Sequence, residues 1–181
     1  MKAYTIKPHL KSVEELDITI EANTVYSFFN SILVDELPII TKHVVYSDAN
    51  ALSEGKEPFF IGENLVIGDA LILGKEMFED VEATIPQKDL EMLISYEVSE
   101  FYKEVLKLLA KTEVNLYRTF DAQKNGETLK LNIEWVLYTF NIADDKTKQY
   151  FLTELEKSLD STKNVEKYMQ KMAQLALNVA Q

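Results

Sequence analysis

Four acidic residues lie close together in the chain: Glu76, Glu79, Asp80 and Glu82. Carboxylates at this spacing can bind Mg²⁺ or act as a paired acid and base. The same residues also suit a solvated loop between a strand and a helix, which needs no ligand. The sequence leaves both interpretations open, and we treat all four as candidate binding residues.

A second candidate site lies around the glycine-rich stretch Gly55–Gly74. Ligand sites combine a concave surface with a few convergent polar groups, and Asp48, Asp69 and His43 could supply them where these loops meet the helices. Backbone shape explains Gly68 and Asp69 equally well, because glycine permits a bulge and aspartate bonds nearby amides. His43 is also consistent with a hydrogen-bonded structural histidine.

Two motifs resemble known ligand loops and then depart from them. Gly68–Gly74 has one residue too many between its glycines for a phosphate-binding loop, and Glu76 stands where a metal-binding Ser or Thr is required. Asp121–Gly126 begins like a calcium loop, but its twelfth position is Asn132 instead of glutamate. An ordinary Asn-Gly turn is the better interpretation, and we predict neither a metal ion nor a cofactor.

The composition excludes several classes of function. The chain has no cysteine, which rules out disulfides, thiol catalysis and zinc-thiolate sites and fits a reducing compartment. Arg118 is the single arginine, so a phosphate site built from several bidentate arginine side chains is excluded. No stretch approaches the roughly 20 apolar residues of a membrane span, and the first residues lack a signal peptide's apolar run. We expect a cytoplasmic protein.

The formal charge of −11 is unevenly distributed. Residues 1–100 contain 19 Asp and Glu against 7 Lys, whereas residues 101–181 are nearly neutral at +1. Such a field repels nucleic acid and anionic membranes and favours a basic protein partner, although an ordinary solvated surface has the same composition. We therefore expect no direct contact with nucleic acid or membrane.

Residues 1–84 read as an acidic α+β region. Period-two alternation predicts strands around residues 4–6 and 16–20, and β-branched or apolar runs predict strands over 39–46 and 65–73, with a bulge at Gly68. Residues 23–33 have helical spacing, with one apolar face for the sheet. The pattern predicts a small mixed sheet with one packed helix.

Residues 85–181 read as a helical region. A broad apolar face follows Pro86 for some two dozen residues, and two further helices begin near Asp144 and Ser161. Residues 127–142 fit a strand in part and a helix face in part, and helical surroundings favour a helix. The pattern predicts a C-terminal helical bundle that packs with the first region as one unit.

The last predicted helix has an apolar stripe that could join copies of the chain. If the protein forms a homo-oligomer, this stripe is the expected surface. Its residues are Val165, Met169, Met172, Leu175 and Val179.

The first 75 residues resemble a family of uncharacterised proteins encoded by bacterial phages and plasmids. The similar pieces are the opening Tyr4–Pro8, the strand and helix across Leu16–Leu33, the strand end Val45–Asp48 and the segment Ile67–Gly74. The resemblance implies an accessory protein of a mobile element. It provides no catalytic residue.

Together these patterns predict a non-enzymatic factor that engages or inhibits a host protein through its acidic surface. Such a surface could occupy a basic nucleic-acid-binding groove on the partner by charge complementarity. One alternative is a small-molecule-binding protein or enzyme with a pocket near the Gly55–Gly74 loops. Another is an oligomeric structural protein.

Overall fold

The computed structural model describes residues 1–21, 23–112, 114, 116 and 118–179, and this part of the chain forms eleven strands and six helices. The predicted α+β class is confirmed. The chain divides into two compact units, Met1–Val98 and Ser99–Gln181. The division lies after the expected boundary at residue 84, because residues 87–95 form a helix and a strand that belong to the first unit. No helix in the described part of the chain is both long and apolar enough to cross a bilayer.

Six strands form the main sheet of the first unit. They are β1 (Lys2–Lys7), β2 (Ser12–Asp17), β3 (Val34–Ile40), β4 (His43–Asp48), β7 (Ala70–Glu76) and β8 (Glu79–Val81). Their order is β2, β1, β7, β4, β3, and β8 also pairs with β7. The sheet predicted as mixed is antiparallel in each of its described pairs. Short turns join several consecutive strands, and a parallel pair would need a much longer crossover.

A smaller sheet in the first unit contains β5 (Pro58–Ile61), β6 (Asn64–Ile67) and the short β9 (Ile94–Ser95). The predicted single strand over 65–73 is therefore wrong, because its two halves belong to different sheets. The chain changes sheet at Gly68, whose φ of 76° disfavours a residue with a side chain. A Cβ atom there would also lie 3.0 Å from the Cβ of Ala51.

Two further elements of the first unit are shorter than predicted. The segment 39–46 contains the turn between β3 and β4, where Lys42 has a φ of 59°. Helix α1 (Thr24–Phe29) ends at Asn30, which is left-handed with a φ of 50°. Val25 and Phe28 pack on the sheet as predicted, but Ile32 is exposed.

The core of the first unit lies on both faces of the three central strands. One face packs against α1 and the segment after β2, and its buried residues are Ala3, Val44, Tyr46, Leu71 and Leu73. The other face contains Tyr4, Ile6, Val45 and Ile72, which are also buried. Runs of buried residues on successive positions explain why β4 and β7 do not show a clean period-two pattern in the sequence.

The second unit combines a hairpin with four helices. Its elements are α3 (Glu100–Leu109), β10 (Thr119–Lys124), β11 (Glu127–Asn132), α4 (Ile133–Asn141), α5 (Asp145–Lys157) and α6 (Thr162–Val179). The ambiguous segment 127–142 is both predicted structures in turn, a strand and then a helix capped by Asn132. The long helix predicted after Pro86 is interrupted, because Ile94 and Ser95 leave α2 (Gln87–Leu93) to pair with β5.

The core of the second unit is an aromatic cluster. The ring of Phe151 lies 4.7 Å from that of Phe140, 5.5 Å from that of Phe101 and 5.6 Å from that of Tyr168. The hydroxyl of Tyr168 donates a 3.0 Å hydrogen bond to the carbonyl of Phe151. Burial raises the pKa of Tyr168 above its usual range, so the phenol stays a donor.

The predicted oligomer stripe on α6 is wrong for most of its residues. Val165, Met169 and Met172 are fully buried inside the second unit, where they face the other elements that pack on α6. Leu175 is partly exposed at 38%, and the side chain of Val179 lies outside the described residues. The apolar repeat that suggested an intermolecular surface is therefore used within one chain.

Candidate functional site

The predicted acidic group lies on the hairpin formed by β7 and β8. Glu76 ends β7 and pairs with Glu79 at the start of β8, which leaves the two-residue loop Met77–Phe78 between them. Asp80 pairs with Lys75 one step further along the strands. Two-residue loops are a common tight connection between antiparallel strands. The side chains of this loop therefore stand at the tip of the paired strands β7 and β8, which we call the stem.

The acidic side chains of this hairpin do not converge on one point. Glu76, Glu79 and Glu82 are exposed to solvent, whereas Asp80 turns toward the sheet and is bonded there. Among the residues that the structure describes, no group of three or more His, Cys, Asp or Glu is placed to hold a metal ion. Their arrangement instead surrounds the loop with negative charge.

The loop itself carries the most exposed large apolar side chains of the described chain. Met77 is 94% exposed and Phe78 is 95% exposed. Single exposed apolar residues are common on protein surfaces, but here two adjacent ones occupy the tip of a hairpin. Aromatic and methionine side chains are enriched where proteins bind other proteins, because they offer a large area for burial.

The backbone at the tip is also unusual. Met77 has a φ of 53°, a conformation that side chains disfavour and that glycine, asparagine or aspartate usually occupy. Three other hairpins have two-residue loops, namely Thr41–Lys42, Gly62–Glu63 and Asn125–Gly126, with positive φ at Lys42, Gly62, Asn125 and Gly126. Met77 and Lys42 therefore have positive φ without being glycine, asparagine or aspartate, and of these two Met77 has the large apolar side chain, which is 94% exposed. Such a departure is a reason to look for function.

The stem below the tip is held firmly. The Tyr46 hydroxyl donates to the Asp80 carboxylate, with both oxygens 2.8 Å away, and the Lys75 ammonium lies 2.9 Å from Asp80 Oδ1. Burial and this hydrogen bond raise the pKa of Tyr46 above its usual range. A Cβ atom on Gly74 would lie 2.3 Å from the carbonyl oxygen of Glu82, so the strands approach closely there.

The second predicted group is brought together in part. Asp48, Gly68 and Asp69 line one cleft of about 780 Å³ in the first unit, together with His9 and Lys56. Asp48 ends β4, whereas Gly68 and Asp69 are consecutive residues between β6 and β7. His43 does not line this cleft.

Several charged groups of the cleft lie close to a partner within the first unit. Asp48 Oδ1 accepts hydrogen bonds from the Ser31 hydroxyl at 2.9 Å and from the Asn50 amide at 3.0 Å. His9 Nδ1 lies 3.7 Å from Asp69 Oδ1. Lys56 lies 3.3 Å from a carboxylate of the adjacent Glu54. The Asp48 carboxylate is therefore used within the unit, whereas His9 and Asp69 are too far apart for a hydrogen bond.

His43 is a structural histidine. Its Nδ1 lies 2.8 Å from the carbonyl oxygen of Thr41, and its Nε2 accepts 3.1 Å hydrogen bonds from the amides of Thr84 and Ile85. This arrangement requires the neutral tautomer with the proton on Nδ1. The side chain is buried and ties β4 to the segment after β8.

The sequence reasoning missed Met77 and Phe78. The signal was present, because two apolar residues stand between Glu76 and Glu79 in a stretch that we expected to be a solvated loop. Apolar residues in a solvated loop need an explanation, and only the structure shows that they form a hairpin tip instead of a strand end.

Comparisons of the chain with protein-family models, with curated proteins and with solved structures gave no match. The resemblance of the first 75 residues to a phage and plasmid family therefore stays a prediction. What the chain does has to be argued from the hairpin itself.

Proposed function

We propose that the protein is a non-enzymatic binding factor that inserts the tip of the β7–β8 hairpin into an apolar pocket of a partner protein. The observation that carries this proposal is the pair Met77 and Phe78, almost fully exposed on a strained two-residue loop. Neither residue contributes appreciable burial to the fold of its own chain. Their apolar surface is instead available for burial against another molecule.

The energetics favour such an insertion. Burying a Met or Phe side chain stabilises a complex by about 1.5–3 kcal/mol each. A tight loop on a bonded stem loses little conformational freedom on binding, so more of this free energy is retained in the affinity. A few buried residues at the centre of an interface commonly carry most of its binding energy.

The charge around the tip specifies the kind of pocket. Glu76, Glu79 and Glu82 are exposed beside the tip, and residues 1–98 contain 18 Asp and Glu against 7 Lys. A pocket with a Lys- or Arg-rich rim would complement this surface, accelerate association and make the affinity fall with salt. A host protein with a basic nucleic-acid-binding groove has this character, and an accessory protein of a mobile element could inhibit it by filling the groove.

The hairpin supports function better than the cleft at Asp48 and Asp69. The cleft is large enough for a small molecule, but the Asp48 carboxylate is already hydrogen-bonded within the unit, by the Ser31 hydroxyl and the Asn50 amide. A small-molecule site needs polar groups that remain available to a ligand. The hairpin tip, in contrast, leaves its apolar area open.

The experiment compares three immobilised proteins: the wild type, Phe78→Ala and the control Ile32→Ala. Ile32 is also an apolar residue of the first unit and is 87% exposed, so its substitution likewise removes exposed apolar area but leaves the hairpin unchanged. Each protein is incubated with bacterial lysate at low and high salt, and retained proteins are quantified by mass spectrometry. The proposal requires one protein that binds the wild type and Ile32→Ala, is released by salt and is lost with Phe78→Ala.

The interaction is then measured with that partner purified. We expect Phe78→Ala to weaken the affinity by at least about tenfold, which corresponds to roughly 1.4 kcal/mol. If every retained protein binds all three baits equally, the hairpin is not the binding site and the proposal is wrong.

A vesicle test separates a protein pocket from a membrane. An exposed apolar tip could also enter a bilayer, although its glutamates oppose an anionic surface. Sedimentation with neutral phosphatidylcholine vesicles and with anionic phosphatidylglycerol vesicles should leave the protein in the supernatant. Binding to either vesicle that depends on Phe78 would replace the proposed pocket with a lipid surface.

A further inference from the structure

The hairpin of the second unit has two edges that differ in how their backbone groups are used. The free edge of β10 is bonded to α6: the Gln123 amide donates to Gln174 Oε1 at 2.8 Å, and Gln174 Nε2 donates to the Gln123 carbonyl at 3.0 Å. Gln170 Nε2 likewise donates to the carbonyl of Asp121. These side-chain amides replace the neighbouring strand that β10 lacks.

The free edge of β11 has no comparable partner in the described part of the chain. β11 pairs only with β10, and residues 127–130 are exposed to solvent. The loop Asn125–Gly126 makes Lys124 and Glu127 a hydrogen-bonded pair, so the N–H and C=O groups of Thr128 and Lys130 point away from β10. On the opposite edge, the N–H and C=O of Gln123 bond to Gln174, which agrees with the alternation of inward and outward backbone groups along an antiparallel pair.

The two outer strands of the main sheet, β3 and β2, carry features that discourage pairing. β3 contains Pro38 and a register shift between Leu37 and Ile40, and the Val13 carbonyl of β2 accepts a hydrogen bond from Gln87 Nε2. Proteins usually protect edge strands in such ways, because an open edge is a template for another strand. β11 has a lysine but neither a proline nor a register shift in its pairing with β10.

The side chains of β11 are arranged for pairing with a copy of itself. Leu129 lies opposite the buried Ala122 on the core-facing side of the hairpin, yet it is 38% exposed because it stands at the open edge. In an antiparallel pair centred on Leu129, Thr128 of each copy faces Lys130 of the other. These are the residues with outward N–H and C=O groups, so the two contacts form four hydrogen bonds.

The neighbouring registers are less favourable. A pair centred on Lys130 places two lysines directly opposite each other, and like charges in that position are destabilising. A pair centred on Thr128 places Leu129 against Glu127 of the other copy. The register centred on Leu129 is the one that joins the two exposed leucines and separates the lysines.

We propose that two copies of the chain associate through β11, in antiparallel register about a twofold axis at Leu129, to form a continuous four-stranded sheet. The surface is small, so the association is weak and depends on concentration. It moves the expected oligomer surface from α6 to the strand edge. It is also independent of the proposed hairpin function, because β11 belongs to residues 99–181 and the hairpin tip to residues 1–98.

Single cysteines test the register cleanly, because the chain has no cysteine of its own. In the proposed pair the two Leu129 Cα atoms face each other at about 4.5 Å, within the range of a disulfide. The two Thr128 Cα atoms are more than about 8 Å apart, which is too far. Thr128→Cys is therefore a matched control from the same exposed strand.

We expect Leu129→Cys to form an intermolecular disulfide at least about tenfold faster than Thr128→Cys at equal concentration, as judged on non-reducing gels. Sedimentation equilibrium of the wild type should show a mass that rises from monomer toward dimer between about 10 μM and about 1 mM. Thr128→Pro should remain a folded monomer over this range, because it removes one outward N–H and keeps the bonds to β10. Phe78→Ala should associate like the wild type.

Three results would overturn the inference. Equal disulfide rates for the two cysteine variants would indicate random collision, and a faster rate for Thr128→Cys would indicate another register. A wild type that stays monomeric to about 1 mM would show that β11 does not pair with itself.

Discussion

The β10–β11 and β7–β8 hairpins both have loops of two residues, but the two loops differ in the residue types that they contain. Between β10 and β11 the loop is Asn125–Gly126, with φ values of 52° and 82°, and these residue types adopt positive φ at little cost. Between β7 and β8 the loop is Met77–Phe78, with a φ of 53° at Met77 and both side chains exposed. The first loop is explained by folding alone, and the second is not.

The difference locates the functional part of each hairpin. In β10–β11 the loop only reverses the chain, and the unusual feature is the open edge of β11. In β7–β8 the edge is short and the unusual feature is the tip. A residue that opposes local backbone preference persists when something other than stability favours it. Substitutions in both hairpins can test whether the two loops differ in this way.

The largest effect should come from the stem of the β7–β8 hairpin. Gly74→Ala would place a methyl group 2.3 Å from the Glu82 carbonyl oxygen and 2.8 Å from a methyl carbon of Val81. β8 must move away, and we expect the free energy of unfolding to fall by about 3 kcal/mol. Urea denaturation followed by circular dichroism measures it. The matched change Gly126→Ala, where a Cβ meets nothing within 4 Å but φ is positive, should cost only about 1 kcal/mol. Equal losses would show that the stem has no special constraint.

The next effect is a transplant of the exposed loop. Replacing Asn125–Gly126 by Met-Phe places two large side chains on residues with positive φ. We expect a loss of about 2 kcal/mol in unfolding free energy, because a side chain in the left-handed region costs about 1–2 kcal/mol. The double substitution Glu156→Ala and Lys171→Ala, at two exposed positions outside the hairpin in the same unit, serves as a control for surface change. A transplanted loop as stable as the original would remove the contrast between the two hairpins.

The buried hydrogen bond at the stem should have an intermediate effect. Tyr46→Phe removes the hydroxyl that donates to Asp80 and leaves that carboxylate with Lys75 alone. A hydrogen bond to a charged group contributes about 1.5–3 kcal/mol, and we expect a loss near the lower value since Lys75 remains. Tyr26→Phe is the control, because Tyr26 is 47% exposed. Similar midpoints for both variants in thermal denaturation would contradict the role of Tyr46.

The sequence predicted well where local pattern and turn chemistry agree. The Asn125–Gly126 turn, the strand near residues 4–6 and the helix caps at Ser161 and Asp144 follow from residue types with one preferred local structure. The strand expected around residues 16–20 instead covers Ser12–Asp17, so its predicted position was too late in the chain. The segment 127–142 was ambiguous because it is a strand followed at once by a helix. A single periodicity cannot describe both.

The sequence predicted poorly where distant contacts decide. Leu65–Leu73 reads as one strand, but its halves join different sheets, and only their partners in the fold show this. Met169 and Met172 read as an outer stripe, yet the helix packs that face inward. Asp48 and Asp69 line one cleft because Ser47 pairs with Ala70, which places the end of β4 beside the start of β7. Their proximity to Ser31 and His9 depends on side chains far away in sequence.

The smallest effect has the opposite sign and separates stability from function most directly. Met77→Gly relieves the positive φ at the tip without removing a buried side chain, so the unfolding free energy should rise by about 0.5–1 kcal/mol. Glycine also makes the unfolded chain more flexible, which limits the gain. The same substitution removes half of the apolar tip and should weaken partner binding, whereas Phe78→Ala should weaken binding with a change in stability within about 0.5 kcal/mol. Urea denaturation and the partner affinity are measured on the same preparations. A Met77→Gly protein that is less stable than the wild type would mean that the Met77 side chain stabilises the fold. The Met77–Phe78 loop would then be explained by stability, as the Asn125–Gly126 loop is.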